Sequence, residues 1–436
     1  MTEPGVDAAV QQLVREEGRR VLATLTRLTG SLPLAEDAVS DAVVRALETW
    51  PRAGLPASPR AWLTATARNR AVDLIRREAR RSEKEEAYLR LQSLVAGREP
   101  AVAESILRDD LLRLVFTCCH PTLALETQVA LSLRTLGGLT TPEVARALLV
   151  PEAAMAKRLT RAKQKIARAR IPYRVPEAEE LPGRVAGVVA TIYLIFNEGY
   201  AATSGESLLR QSLSGEAIRL GRLLHDLLPT AAPVAGLLAL MLLQDSRRQA
   251  RTSPDGTPVL LAEQNRRLWD RKQIGEGIRL LGQGLALTPT RPDPYVVQAA
   301  IAACHALAPT WEQTDWAAVV SWYDVLLTVQ DTPVVRLNRA AAVAEETGPA
   351  RGLAEVDAIE GLGGYPLWQA SRAELLIRLG RSAEARAAYE AARAAGLNGA
   401  QERRLRDRLN ESSGLLDATS AGAPPPRPSR SQRTVS

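Results

Sequence analysis

Aromatic residues are scarce in this 436-residue chain: two Phe, eight Tyr and seven Trp make up 4% of it. Stretches that alternate β-branched with polar residues hardly occur, and Ala, Leu and Arg dominate instead. Sheets draw on aromatic and β-branched residues, so a sandwich or barrel is excluded and the expected class is all-α. Three cysteines, Cys118, Cys119 and Cys304, cannot build a disulfide framework, and reduced thiols suit the cytosol. Cys118-Cys119-His120 has no second Cys or His pair to complete a tetrahedron, so small buried thiols beside Phe116 and Leu123 are expected and no metal. With three His, no phosphate-binding glycine loop and no G-x-S-x-G, nothing argues for an enzyme or a cofactor. The longest apolar run, Ala232–Leu243, is too short to cross a bilayer, and no charged-then-apolar leader opens the chain. A cytoplasmic protein without a membrane partner is the expectation.

What is abundant is positive charge, and it is unevenly placed. Residues 1–175 hold 28 Lys/Arg against 20 Asp/Glu, whereas the remainder holds 28 against 29. The formal charge of +7 therefore comes from the first two-fifths, as expected if that part meets a polyphosphate.

Within it, Leu139–Arg170 has the pattern of two helices joined by a tight turn. Thr140 or Thr141 can cap the first, with Pro142 at its start, Glu143 in its first turn and an end near Leu148. The second is expected over 152–168, where Met155, Leu159, Ala162 and Ile166 form one apolar stripe. Lys157, Arg161, Lys165 and Arg168 fall on the opposite side, and no acid occurs between Ala153 and Arg174. Such a pair is how a helix-turn-helix enters a major groove, although a solvated basic helix shows the same charge pattern.

Upstream, three amphipathic helices are expected at 6–29, 34–50 and 59–81. Their buried stripes are Val10, Leu13, Val14, Val21, Leu25 and Leu28; then Ala38, Val39, Ala42, Val43, Ala46 and Leu47; then Leu63, Ala67, Ala71 and Leu74. Pro51–Pro59 should be a loop, with Ser58 capping the third helix. Trp62, Thr66, Asn69, Asp73 and Arg76 share one face of that helix, and residues 52–81 carry eight Arg. Bases stack on exposed rings while arginines hold phosphates, so this face suits single-stranded nucleic acid; Trp62 as a core residue of a three-helix bundle is the alternative.

AEDAVSDAVVRAL (35–47), SPRAWLTATARNRAVDLIRR (58–77) and LTTPEVARALLVPEAAMAKRLTRAKQKI (139–166) together resemble the two domains of bacterial extracytoplasmic-function sigma factors, in the same order and spacing. The resemblance implies that residues 8–82 bind the clamp of core RNA polymerase and read and melt the −10 element of promoter DNA. It implies that 105–172 read the −35 element through the helix-turn-helix, with 83–104 as linker. Carried over by position, Asp37, Ser40 and Asp41 would face polymerase, Ser40 standing where Gln is common. Arg52 and the loop to Ser58, with Arg60, Trp62, Asn69, Asp73, Arg76 and Arg77, would meet the −10 strand. Glu152, Ala153, Ala154, Lys157, Arg158, Arg161 and Lys165 would meet the −35 duplex; Leu149 and Ala153 replace glycines common in the family.

Some 260 residues follow. After a Pro- and Glu-rich hinge at 173–182, a helical domain is expected over 183–290, with helices near 216–228, 233–250, 259–272 and 274–287. Asn197, Glu198 and Tyr200 are there either as a cleft or as a helix C-terminus. Over 291–410 helix pairs alternate with Gly/Pro breaks. Gly380, Ala385, Tyr389 and Ala392 have tetratricopeptide (TPR)-like spacing, and Gly348 and Leu353 mark a degenerate copy. Such an array offers a surface to a peptide or protein ligand, or else it is a self-contained bundle. Residues 411–436, rich in Pro, Ser and Arg, suit a disordered tail. The architecture resembles the sigma subgroup with a fused TPR-like C-terminal domain, and the resemblance implies control by that domain. Two rivals remain: a free-standing helix-turn-helix regulator with a helical-repeat sensor domain, and a TPR-like scaffold whose basic segment is incidental.

Overall fold

A computed structural model describes residues 4–81, 109–148, 150–169, 171, 173–177, 179–200, 208–253 and 259–396. The expected linker at 83–104, Leu149 and the C-terminal tail lie outside the described residues. The described residues form helices joined by loops and contain no strand, so the chain is all-α. They fall into two compact units, Met1–Arg248 with Asp270–Ala299, and Gln249–Trp269 with Ala300–Ser436.

The first unit opens with α1 (Pro4–Thr29), α2 (Leu32–Ala53) and α3 (Pro59–Arg81), a bundle built on alanine. Ala35, Ala38, Ala42 and Ala46 of α2 and Ala67 and Ala71 of α3 are buried. Small side chains at these offsets let neighbouring axes approach closely, and Leu63 and Ile75 fill the layers between. Three expectations shift. Ile75 is buried where Leu74 was expected, Trp50 takes the place of Leu47, which is exposed, and Val43 is half-buried. A four-residue step from Ala46 leads to Trp50, whose ring seals the end of the bundle. Pro51–Ala53 belong to α2 rather than to a loop; Gly54, with φ of +82°, ends the helix as its N–H closes on the Trp50 carbonyl at 3.0 Å.

Next come α4 (Asp110–Cys118), α5 (Leu125–Thr135), α6 (Thr141–Ala147) and α7 (Glu152–Arg168). Asp109 caps α4 on the Leu112 N–H at 2.9 Å. Cys118 and Cys119 are buried; Cys118 lies 3.3 Å from the Thr135 hydroxyl, and Cys119 3.3 Å from that of Thr191. Burial pushes their thiols up to about 12 and about 11. They are packing groups, and no metal-holding cluster occurs among the described residues.

The unit continues through α8 (Pro182–Tyr200), α9 (Leu208–Leu227), α10 (Ala232–Asp245) and α11 (Arg271–Leu287). Asn197, Glu198 and Tyr200 are in the last turn of α8. The apolar run 232–243 is α10, buried on nearly every side, as a core helix apolar all round must be. No helix among the described residues is long and apolar enough to cross a membrane.

The helix expected at 259–272 is instead two short 3-10 turns, Leu261–Glu263 and Arg266–Leu268. Tertiary capture overrides propensity here: Arg266 is buried, donating to the carbonyls of His305 (2.6 Å) and Ala308 (2.7 Å). The second unit then runs through α12 (Pro294–Leu307), which begins in the first unit, α13 (Trp316–Val329), α14 (Pro333–Glu346), α15 (Pro349–Asp357), α16 (Pro366–Arg378) and α17 (Ser382–Ala394). Ala340, Ala344, Leu353, Val356, Ala373, Leu376, Ala385, Tyr389 and Ala392 share one core. At Gly352 a Cβ would come within 2.4 Å of the Ala344 Cβ, so α14 and α15 touch backbone to backbone. Arg339 bridges Asp324 of α13 and Glu355 of α15 at 2.7 and 2.6 Å, and Arg372 ties α16 to Asp357 at 2.7 Å.

Candidate nucleic-acid interface

The helix-turn-helix is set by its caps. The Thr140 hydroxyl accepts from the Glu143 N–H, and the Glu143 carboxylate accepts from the Thr140 N–H at 2.7 Å, a reciprocal box that fixes the start of α6. Pro151 is the N-cap of α7, with φ of −56° and an extended ψ of 138°, and Val150 closes on the Ala145 carbonyl at 2.9 Å. Met155, Leu159, Ala162 and Ile166 are buried, the four positions of the expected stripe. With that face fixed, Glu152, Ala153, Ala154, Lys157, Thr160, Arg161, Gln164 and Arg168 face outward and are exposed.

Two of the expected DNA contacts sit elsewhere. Arg158 is half-buried on the flank of α7 and pairs with Glu126 of α5 at 3.3 Å. Lys165 is exposed, and its ammonium donates to the Thr122 carbonyl. Lys163 on the other flank pairs with Glu36 of α2 at 2.6 Å. The outward strip of α7 is thus Lys157, Arg161 and Arg168, interleaved with Thr160 and Gln164. The last two, a hydroxyl and an amide able to meet base edges, carry no charge to mark them; helical phase from Met155 is the signal that finds them.

On α3, Asn69, Asp73, Arg76 and Arg77 are exposed and lie within roughly 100° of arc together with Trp62. Trp62 is half-buried and packs edge-on against Trp50, with centroids 5.4 Å apart. The ring is therefore packed on one side against a buried neighbour while part of it stays open. Arg60 pairs with Glu17 of α1, its second bond being 3.3 Å long. Arg52 is exposed in the last turn of α2. Asp37, Ser40 and Asp41 are exposed on α2, with Asp41 paired to Arg70 of α3.

A helix-turn-helix with a cationic outer strip, in one chain with an arginine-rich helix that carries a half-open tryptophan, fits a DNA-binding protein of two helical modules. Residues 13–81 match the family described as Sigma-70 region 2, and 113–166 match Sigma-70, region 4. Residues 184–285 match a Family of unknown function (DUF6596). An uncharacterized protein of Rhizobium meliloti (strain 1021) is 43% identical over 399 residues, covering 90% of this chain and 93% of its own length. No solved structure matches. The two matched regions support a sigma-70 family factor. The two family regions support a role in transcription initiation, with core RNA polymerase and promoter DNA as partners.

Proposed function

We propose that this chain is a promoter-specificity subunit of the extracytoplasmic-function type, working in the cytoplasm without a bond-making step of its own. Residues 8–82 dock on polymerase through the exposed edge of α2 (Asp37, Ser40, Asp41) and hold the melted −10 strand on α3. Residues 105–172 read the −35 duplex through α7. Opening DNA costs ~1.4 kcal/mol per base-pair step in lost stacking. A ring that accepts an unstacked base recovers roughly 1–3 kcal/mol of that. The observation that carries the reading is the Trp50–Trp62 pair, a buried ring propping a half-open one beside exposed arginines.

In this reading residues 183–290 and the helix pairs of 291–410, which are TPR-like, regulate the first two modules. The burial of Ala385 and Ala392 with Tyr389, and the close packing of Gly352 on Ala344, support the TPR likeness. A peptide or protein ligand of those pairs is part of the proposal. The test is reconstitution of run-off transcription from polymerase lacking its initiation subunit, with a pull-down of the same core enzyme. Stoichiometric binding and starts at a defined set of promoters are expected. A protein that binds duplex DNA but ignores core polymerase would instead be a free-standing regulator.

A further inference from the structure

The first unit holds α1 and α2 against α4 and α7 by polar contacts that converge on one place. Tyr173, in the segment leaving α7, donates to the carbonyl of Ala23 in α1 at 2.9 Å, and its hydroxyl also lies on the carbonyl of Asp110 at the start of α4. The Asp110 carboxylate accepts from Arg27 (2.8 Å) and Thr24 (3.1 Å), both on α1. Beside it, Asp109 accepts from Arg219 of α9 at 2.7 Å. Arg219 also binds Glu216 at 2.7 Å, and Glu216 faces Arg20 of α1 at 3.7 Å. A further pair joins the bundles: Lys163 of α7 is taken up by Glu36 of α2, the helix that carries Asp37, Ser40 and Asp41.

From this convergence we infer that Tyr173, with Asp109, Asp110 and Arg219, is a latch that holds the polymerase-docking bundle against the DNA-reading bundle in a resting state, and that promoter engagement requires its release. The inference rests on the sigma reading above. Distance makes the case. Elements about 25 base pairs apart on B-DNA lie roughly 85 Å apart at 3.4 Å per pair. Two touching bundles of this size have centres only roughly 30 Å apart. A chain latched in this way cannot reach both elements at once. The latch is also where the extension enters: α9 supplies Arg219 and Glu216, and Tyr173 lies on the segment leading to it. A partner or a movement that draws α9 away would remove one side of the latch.

The experiment uses the full chain with Cys304→Ser and spin labels at Thr49→Cys and Ala169→Cys, both exposed positions. Cys118 and Cys119 are buried and do not compete for label. The free protein should give one short distance, and binding to core polymerase at a promoter should lengthen it by tens of ångströms. Tyr173→Phe and Arg219→Ala should each raise the long-distance population of the free protein roughly two- to tenfold and increase run-off product without added signal. Arg219 is half-buried and outside the core, so its variant reports even if Tyr173→Phe folds poorly. The latch is overturned if both variants keep the single short distance, or if the short distance persists in an initiating complex. Failure of the sigma reading is separate: it shows as no binding of core polymerase, whereas the free-chain distances test the latch without polymerase.

Discussion

Side chains of one type do different work depending on what they touch, and the arginines of α7 show it. Arg161 projects outward, whereas Arg158 is half-buried and already paired with Glu126. Replacing Arg161 with Ala should weaken duplex binding and reduce the slope of log K against log salt by about 1, the signature of one lost phosphate contact. Arg158→Ala should leave that slope nearly unchanged, because its charge is answered within the protein. The tryptophans divide in the same way. Trp50 is 2% exposed, so Trp50→Ala leaves a cavity and should cost roughly 3–5 kcal/mol in urea unfolding. Trp62→Ala should cost less stability and show chiefly as lost permanganate reactivity of promoter thymines, with duplex binding spared. Equal loss of duplex binding and opening would make Trp62 a packing residue and no more.

At the scale of elements, short helices depend on their ends. The seven-residue α6 is held by the Thr140–Glu143 box, and Thr140→Ala should cost about 1 kcal/mol, read as faster hydrogen exchange across α6 and weaker duplex binding. Among the helix pairs, Gly352→Ala would push a methyl into Ala344 and the Ala340 carbonyl, 2.4 and 2.9 Å away. That overpacking should cost roughly 1–3 kcal/mol and lower the thermal midpoint. These elements also mark what could be read from the chain alone. The stripe of α7 was legible because Met155, Leu159, Ala162 and Ile166 keep a strict helical period and nothing distant competes with it. The segment 259–272 was not, because Arg266 is held by carbonyls some forty residues away, and no local pattern encodes that. Pro51 read as a loop, yet α2 runs on to Ala53 because Trp50 is buried and Gly54 supplies the stop. The flank positions of Arg158, Lys163 and Lys165 were hidden for the same reason: residue type gave the charge, and only packing gave its partner.

For the whole molecule, the question is whether the extension is an appendage or part of the DNA-reading module. The contacts favour the second. α8 lies on α5 with Gly187 so close to Gln128 that a Cβ would stand 2.1 Å from its Oε1, and Thr191 meets the Cys119 thiol at 3.3 Å. Gln128 itself donates to the carbonyls of His120 and Leu123, tying the turn before α5 to this seam. A chain cut after Arg174 would therefore bare a face of α5 whose Gln128, Val129 and Ser132 are buried in the full protein. At ~25 cal/mol per Å² of apolar surface, the module should lose roughly 3–5 kcal/mol, read as a lower urea midpoint and new binding of a hydrophobic dye. The truncated protein should then transcribe weakly even if α9 restrains the intact one, because removal takes away the support of α5 along with the α9 side of the latch. An intact urea midpoint after truncation would instead make the extension a separable domain, and the seam between α5 and α8 a contact of no structural consequence.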